Sequence, residues 1–391
     1  MSAPGSPSRF FRVRIGTLTR TAAVVLAAVV VLVAPSDALA ARSVPKGFFG
    51  MNWDQEVTYR TSPATRSTQW GKMAASGAES ARAIFWWKDA QPKKDGPTDY
   101  RATDALVTLA AEHGLELIPV VIAAPRWART GDKPFSPPNR GAYAKYLVKL
   151  VERYGVDGKF WKKHTSIPKR PILALQIWNE PTLQYQWTIP SSKDWAVGYG
   201  KLLCKSHSAV KDADHRVRVV MAGLPNASSG DLDHLYAKGH VHGCFDVGAI
   251  HPYTVHKGGV LTLVKRYRAV MKKHGDADKK LWVTELGLPA SKGKTSDTSS
   301  LQTDDAGMAQ FLKDSYNDLM NNRVKLRVDH VFFYTWASVY KGWIFKWTGL
   351  FRYDRDHKND LFEEKPAYQT YVDLAQSAEG CTKTTTGTCA R

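Results

Sequence analysis

Between residues 46 and 378, short apolar runs alternate with longer stretches of helical period about eight times, and few folds accommodate that rhythm. Runs of strand length stand at 47–52, 79–86, 115–122, 172–178, 217–222, 245–250, 280–284 and 329–335. Helical stretches follow them at 64–76, 101–113, 139–154, 193–212, 230–239, 258–274, 301–320 and 366–377. In the second helix Ala105, Leu106, Leu109 and Ala110 share one face before Gly114 stops the pattern. Strands alternating with helices imply βαβ units and a parallel sheet. Eight such units predict an α/β protein, a (β/α)8 TIM barrel in a single domain. The rival, a doubly wound open sheet, wants a Gly-rich phosphate turn after its first strand, and "GMNWDQE" offers none. Neither linker nor repeat divides the run, so a barrel over 41–378 is expected. "SKGKTSDTSS" at 291–300 reads as a loop and 379–391 as a Thr-rich tail.

The residues before the barrel carry a different pattern. Arg9, Arg12, Arg14 and Arg20 precede an apolar run from Ala22 to Ala34, and "ALAA" at 38–41 offers a cleavage site after Ala40. That order predicts a secretory signal peptide over 1–40, with a run too short for a comfortable membrane span. The exported chain would be soluble and secreted, extracellular or associated with the cell wall. Its loss removes four Arg and one Asp, taking the net charge from +19 to +16. Such an excess suits anionic glycan, anionic wall polymer or nucleic acid. It is equally the average of a chain whose Lys and Arg are scattered throughout, and no nucleic-acid motif is visible. Four cysteines in an exported chain allow three pairings, of which Cys204–Cys244 with Cys381–Cys389 is the simplest. The metal-site spacings C-x-x-C and H-x-x-x-H are absent, so no metal and no organic cofactor is expected.

A barrel builds its site from the C-terminal ends of its strands, and these can be read directly. Strand four, "LALQIWNEPT", ends in Trp178, Asn179 and Glu180; strand seven, "LWVTELG", ends in Thr284 and Glu285. Strand six supplies His251 and Tyr253, and strand two Arg82 followed by Trp86. Strand three runs into Trp127 and strand eight into Trp336, while "VYKGWIFKWTG" at 339–349, with Trp343, is a long aromatic loop. A carboxylate at the mouth of an apolar strand is costly unless paired or used. Two glutamates on one barrel face suit glycoside hydrolysis, which needs one acid to protonate the leaving oxygen and one carboxylate on the far side of the sugar. Trp and Tyr faces can stack on sugar rings. Arg82, His251 and Tyr253 would favour the ionised form of a nucleophilic carboxylate, whereas an acid at Glu180 needs the opposite shift, from burial or a neighbouring charge. Asn226-Ala-Ser reads as a glycosylation sequon.

"WNEP" on strand four and "TELG" on strand seven resemble the clan A glycoside hydrolases, which share this barrel. The resemblance covers nearly all of residues 41–378 through the order of elements. It implies Glu180 as general acid/base, Glu285 as nucleophile and Asn179 as partner of the sugar 2-hydroxyl. It also implies that Arg82, His251 and Tyr253 orient or support the nucleophile, that Trp336 is a sugar platform, and that anomeric configuration is retained. The cellulase-type family five usually carries a histidine near the end of strand three, where this chain reads "IAAPRWA". That segment looks more like family thirty-nine and its barrel-only endoglycosidase relatives, though many exo-acting members of that group carry a β-sandwich for which this chain leaves no room.

The expectation is therefore a secreted retaining β-glycosidase acting on a polysaccharide or oligosaccharide, endo-acting more than exo-acting. Neutral β-glucans, xylans, galactans and anionic glycans all stand open as substrates. A transglycosylase using the same carboxylates and a non-catalytic carbohydrate-binding barrel are the alternatives.

Overall fold

The computed structural model describes residues 42–54, 57–354 and 361–380, with the side chain of Tyr59 left aside. The leader expected over 1–40, the Cys381–Cys389 pair and nearly all of the tail lie outside those residues.

Eight parallel strands form a closed ring: β1 Phe49–Trp53, β2 Ser80–Trp86, β3 Glu116–Ile122, β4 Ala174–Ile177, β5 Arg218–Val220, β6 Val247–His251, β7 Lys280–Leu286 and β8 Val328–Phe333. Each pairs with the next in sequence, β5 meets β6 through Val220 and Val247, and β8 returns to β1 through Val331 and Phe49. A two-residue strand, Leu224–Pro225, runs beside the end of β6. The near-continuous apolar character of these runs follows from closure. A strand with side chains facing the barrel interior and the helical shell is buried on both faces, as every residue of β1 and β6 is.

Eight helices form the shell: α1 Pro63–Ala75, α2 Arg101–Glu112, α3 Arg140–Tyr154, α4 Trp195–Ala213, α5 Ser229–Gly239, α6 Gly259–Lys273, α7 Asp305–Leu326 and α8 Pro366–Glu379. Several starts are set by side-chain caps, Ser62 for α1, Asn139 for α3, Asp194 for α4 and Asp304 for α7. Five helices reach back with a buried tyrosine whose hydroxyl donates to a strand carbonyl: Tyr143 to Val121, Tyr199 to Ile177, Tyr267 to Ala249, Tyr316 to Val331 and Tyr371 to Gly50. These bonds lock helix to strand where apolar packing alone would allow sliding. The Cys204–Cys244 disulfide ties α4 to the segment entering β6 and is half of the simplest pairing. No described helix is long and apolar enough to cross a membrane.

The foot of the barrel, where strands begin, is closed by charge. His330 lies 3.5 Å from Glu116 and 3.3 Å from Asp329, Arg218 reaches Glu116 at 3.4 Å, and Arg42 pairs with Glu79 at 2.6 Å. The opposite end is open. There the sequence reading missed one element, a small sheet of Ala337–Ser338, Phe351–Asp354 and Leu361–Glu364. Helix α7 also starts later than the pattern predicts, because Asp304 caps it, and runs six residues further, to Leu326.

Candidate active site

At the end of β4 the chain leaves the strand abruptly. Trp178 (φ 68°) and Glu180 (φ 41°) both adopt left-handed backbone, which for a Trp is a conformation that surrounding structure must enforce. Trp178 is pinned: its ring is fully buried against Tyr143 and Trp187, and its indole N–H donates to the Gln186 carbonyl at 2.7 Å. The Glu180 N–H donates to the carbonyl of Gly223, at 3.3 Å. That turn aims the Glu180 carboxyl inward, toward Glu285 at the end of β7. An oxygen of each lies within 4.8 Å of the other, and both residues are 7% exposed.

Arg82 on β2 organises the floor. Its Nη1 donates to Glu285 Oε1 (2.9 Å) and Asn52 Oδ1 (2.7 Å), its Nη2 to Asn179 Oδ1 (2.7 Å) and its Nε to Gln176 Oε1 (2.7 Å). Asn52 in turn donates to the carbonyls of Thr284 and Phe333, so β1, β2, β4, β7 and β8 meet through one guanidinium. The other oxygen of Glu285 accepts from the Tyr253 hydroxyl at 2.7 Å.

His251 stands behind both glutamates. The resemblance assigned it to the nucleophile, but its Nδ1 is 2.8 Å from Glu180 Oε1 and 3.6 Å from Glu285 Oε2, so Glu180 is the nearer partner. Its Nε2 lies 2.9 Å from the Thr284 hydroxyl. The ring is fully buried, and a methyl group on Gly223 would come 2.0 Å from Nε2, so only glycine fits there.

Burial shifts both carboxyls in the same direction. Burial pushes Glu180 up to about 7, opposed only by the more distant charge of Arg82. Burial raises Glu285 as well, and the Glu180 charge adds to it, against Arg82 and the Tyr253 hydroxyl. Those two act in the expected direction, but burial outweighs them, and His251, which burial keeps neutral, has no charge to set against it. Geometry still distinguishes the pair. Glu285 receives a guanidinium on one oxygen and a phenol on the other, whereas Glu180 has an imidazole that burial holds neutral, its pKa lowered to about 3. A single proton shared between them belongs on Glu180. Glu180, His251 and Glu285 together also offer the ligand atoms of a cation site. An ion there would sit against Arg82 and compete with it for Glu285, which makes the cluster a poor cage.

A cavity of about 370 Å³ opens over this floor. Arg82, Asn179, Glu180, Tyr253 and Glu285 line it, with Trp86 on one wall and Ile84, Val120 and Ile122 forming an apolar side. Of the residues singled out from sequence, His251 lies behind the floor without lining the cavity, and Trp127 and Trp336 are not brought to it. Trp127 packs edge-on against Trp87 and donates to the Gln91 carbonyl at 2.9 Å. Trp336, expected as a sugar platform, is fully buried, bonded to Gln69 and packed on Phe351. The chain turns outward at Thr335, whose hydroxyl is held by the Asn52 carbonyl, so the ring points into the shell and Tyr334 faces the cavity in its place. Asp54, Asn52, Gln176, Tyr185 and Tyr334 were missed. Gln176 and Asn52 carried a signal, since a polar side chain inside an apolar strand must find a partner.

In sequence the chain matches no family model and no curated protein. In structure it is similar to a family 39 glycoside hydrolase from Bacteroides cellulosilyticus (TM-score 0.61, 18% identity), covering 87% of this chain and 65% of that one. It is similar to a monomeric β-xylosidase from Caulobacter crescentus (TM-score 0.61, 19% identity, 85% of this chain and 69% of that one). An exo-β-1,4-mannosidase from an Opitutaceae bacterium aligns at TM-score 0.59 and 14% identity, over 88% of this chain and 61% of that one. At these identities the likeness establishes the shared barrel. The chain spans about two thirds of the length of these neighbours.

Proposed function

We propose that this chain is a secreted retaining glycoside hydrolase that cuts β-glycosidic bonds in a polysaccharide or oligosaccharide. The observation that carries the reading is the pair Glu180 and Glu285, with oxygens within 4.8 Å of each other and unequal hydrogen bonding. Retaining enzymes hold their carboxyls about 5–5.5 Å apart, whereas inverting enzymes need about 6.5–9.5 Å to admit a water. The solved neighbours named above are glycosidases, which supports the same reaction class.

In this mechanism the Glu285 carboxylate attacks the anomeric carbon as the bond to the leaving oxygen breaks, and Glu180 gives its proton to that oxygen. The sugar is then an ester of Glu285. Esterification leaves the charge of Arg82 unbalanced, and Arg82 already pulls Glu180 toward its ionised form. Glu180 is thereby set to take a proton from water, which attacks the same carbon from the face the leaving group vacated and releases Glu285. Asn179, oriented by Arg82 through its oxygen, has its amide nitrogen available for a sugar hydroxyl. Among the described lining residues the carboxylates are Asp54, Glu180 and Glu285, and the cation is Arg82. A sugar carboxylate would meet like charge without a free cation, which favours neutral β-glycans over anionic ones despite the basic chain. The Arg-rich leader and the disulfide support export.

The purified protein, screened on neutral and acidic β-glycans with product anomers followed by NMR, is expected to release product of retained configuration. A 2-deoxy-2-fluoro glycosyl fluoride should label Glu285. Full turnover by Glu285→Ala would overturn the mechanism.

A further inference from the structure

Two large rings on the rim of this cavity stand in solvent, Tyr185 at 58% exposure and Trp343 at 54%. Tyr185 lies on the loop after β4, five residues beyond Glu180, and Trp343 on the loop after β8. In a closed ring of eight consecutively paired strands, β4 and β8 are diametrically opposite. Both rings line the cavity over the two carboxyls, on loops that leave opposite strands of the ring. Trp343 is braced by Phe345 at 4.8 Å, which packs edge-on against Tyr253 at 4.9 Å. Tyr185 has no ring partner and no side-chain hydrogen bond among the described residues.

We propose that Tyr185 and Trp343 are stacking platforms for a β-linked glycan that crosses the cavity from one bank to the other, with Tyr185 beneath the sugar on the leaving side. The inference rests on the function proposed above. Glu180 delivers its proton to the leaving oxygen, so the leaving sugar lies beside Glu180 and the loop that carries Tyr185. A chain held on both banks is cut in its interior. Each platform needs only a flat apolar ring, since the axial C–H groups of a pyranose present a matching face.

The test compares Tyr185→Ala, Trp343→Ala and the double variant on soluble β-glucan, xylan and galactan, and on the β-glycosyl fluoride of the sugar released. Fluoride as leaving group carries no sugar over Tyr185, the platform on the leaving side. Turnover of the polymer, as kcat/KM, should fall about tenfold per ring, as expected for loss of one stacking contact. It should fall about a hundredfold for the pair, because distant sites add. Turnover of the fluoride by Tyr185→Ala should stay within about twofold, and Tyr185→Phe and Trp343→Phe should keep most of the polymer rate. Equal losses on fluoride and polymer in Tyr185→Ala, or no loss on polymer in either Ala variant, overturn the proposal. If the wild type turns over neither, the function itself fails, and electrophoresis through gels holding the same polymers reads the rings alone. Retardation of the wild type that both Ala variants lose supports the platforms; retardation they keep, or none in the wild type, overturns them.

Discussion

Tyr253→Phe removes one hydroxyl, 2.7 Å from Glu285 Oε2, and keeps the ring that packs against Phe345. Arg82 still holds the other oxygen of Glu285, so the carboxyl stays in place and loses one donor. A hydrogen bond to a charged group is worth about 1.5–3 kcal/mol and one to a neutral group about 0.5–1.5. The hydroxyl therefore favours ionised over protonated Glu285 by roughly 1–1.5 kcal/mol, which corresponds to about one pH unit. As the proposed nucleophile Glu285 must be ionised to attack, so activity is lost as pH falls through its pKa. Removing the donor raises that pKa and moves the acid limb of the profile upward by about one unit. The assay is kcat/KM against pH for an aryl glycoside with a good leaving group, so that protonation by Glu180 is not limiting. At the acid end the variant should lose about tenfold, and near neutrality far less. An acid limb that stays where it is or moves down would refute the role given to this bond. An alkaline limb that moves as far as the acid one would also refute it, because Glu180 accepts nothing from Tyr253.

In the proposed mechanism Glu180 acts in its protonated form, and with its pKa pushed up to about 7 the kcat/KM of the wild type should decline above neutral pH. In Glu180→Ala that limb should vanish, substrates with activated leaving groups should suffer least, and azide should partly restore turnover; an unchanged alkaline limb would reassign the acid. Gly223→Ala places a methyl 2.0 Å from His251 Nε2, and the displaced ring should cost about 1–3 kcal/mol of stability and most of the activity, read by thermal melts and kinetics. A variant that melts and works like the wild type would show that the cradle is not tight. Replacing Cys204 and Cys244 by Ser opens a link spanning 40 residues and should cost about 2–4 kcal/mol in a denaturant titration, with little change in kcat at low temperature; an unchanged midpoint would remove the disulfide from the stability account.

The barrel was legible because each unit announces itself locally, an apolar run followed by a helical period with its cap. Glu180, Glu285 and Arg82 were legible for a related reason: charge at the edge of an apolar strand is conspicuous within a few residues. What escaped depends on pairing across the ring. Asn52 meets Arg82 because β1 and β2 pair in that register, and no window of sequence contains both. The same holds for the small sheet after β8, whose strands find each other only once the loop is folded. Trp336 was misassigned because a ring just past a strand end faces the cavity or the shell according to where the chain turns. Thr335, held by Asn52, stands between the two: Tyr334 before it faces the cavity and Trp336 after it is buried in the shell. The expectation that three donors hold Glu285 low left out the dielectric, which burial sets and local sequence does not reveal.

Arg82 joins side chains from β1, β2, β4 and β7, and Asn52 extends the join to β8. Fraying of any one of these strand ends strips a partner from a buried cation, so the ends do not open independently. Amide exchange at Asn52, Gln176 and Glu285 should accordingly proceed through one shared opening event with similar protection, rather than a graded series of local ones. The floor of the cavity is then present whole or absent whole, and partial denaturation should inactivate in a single step.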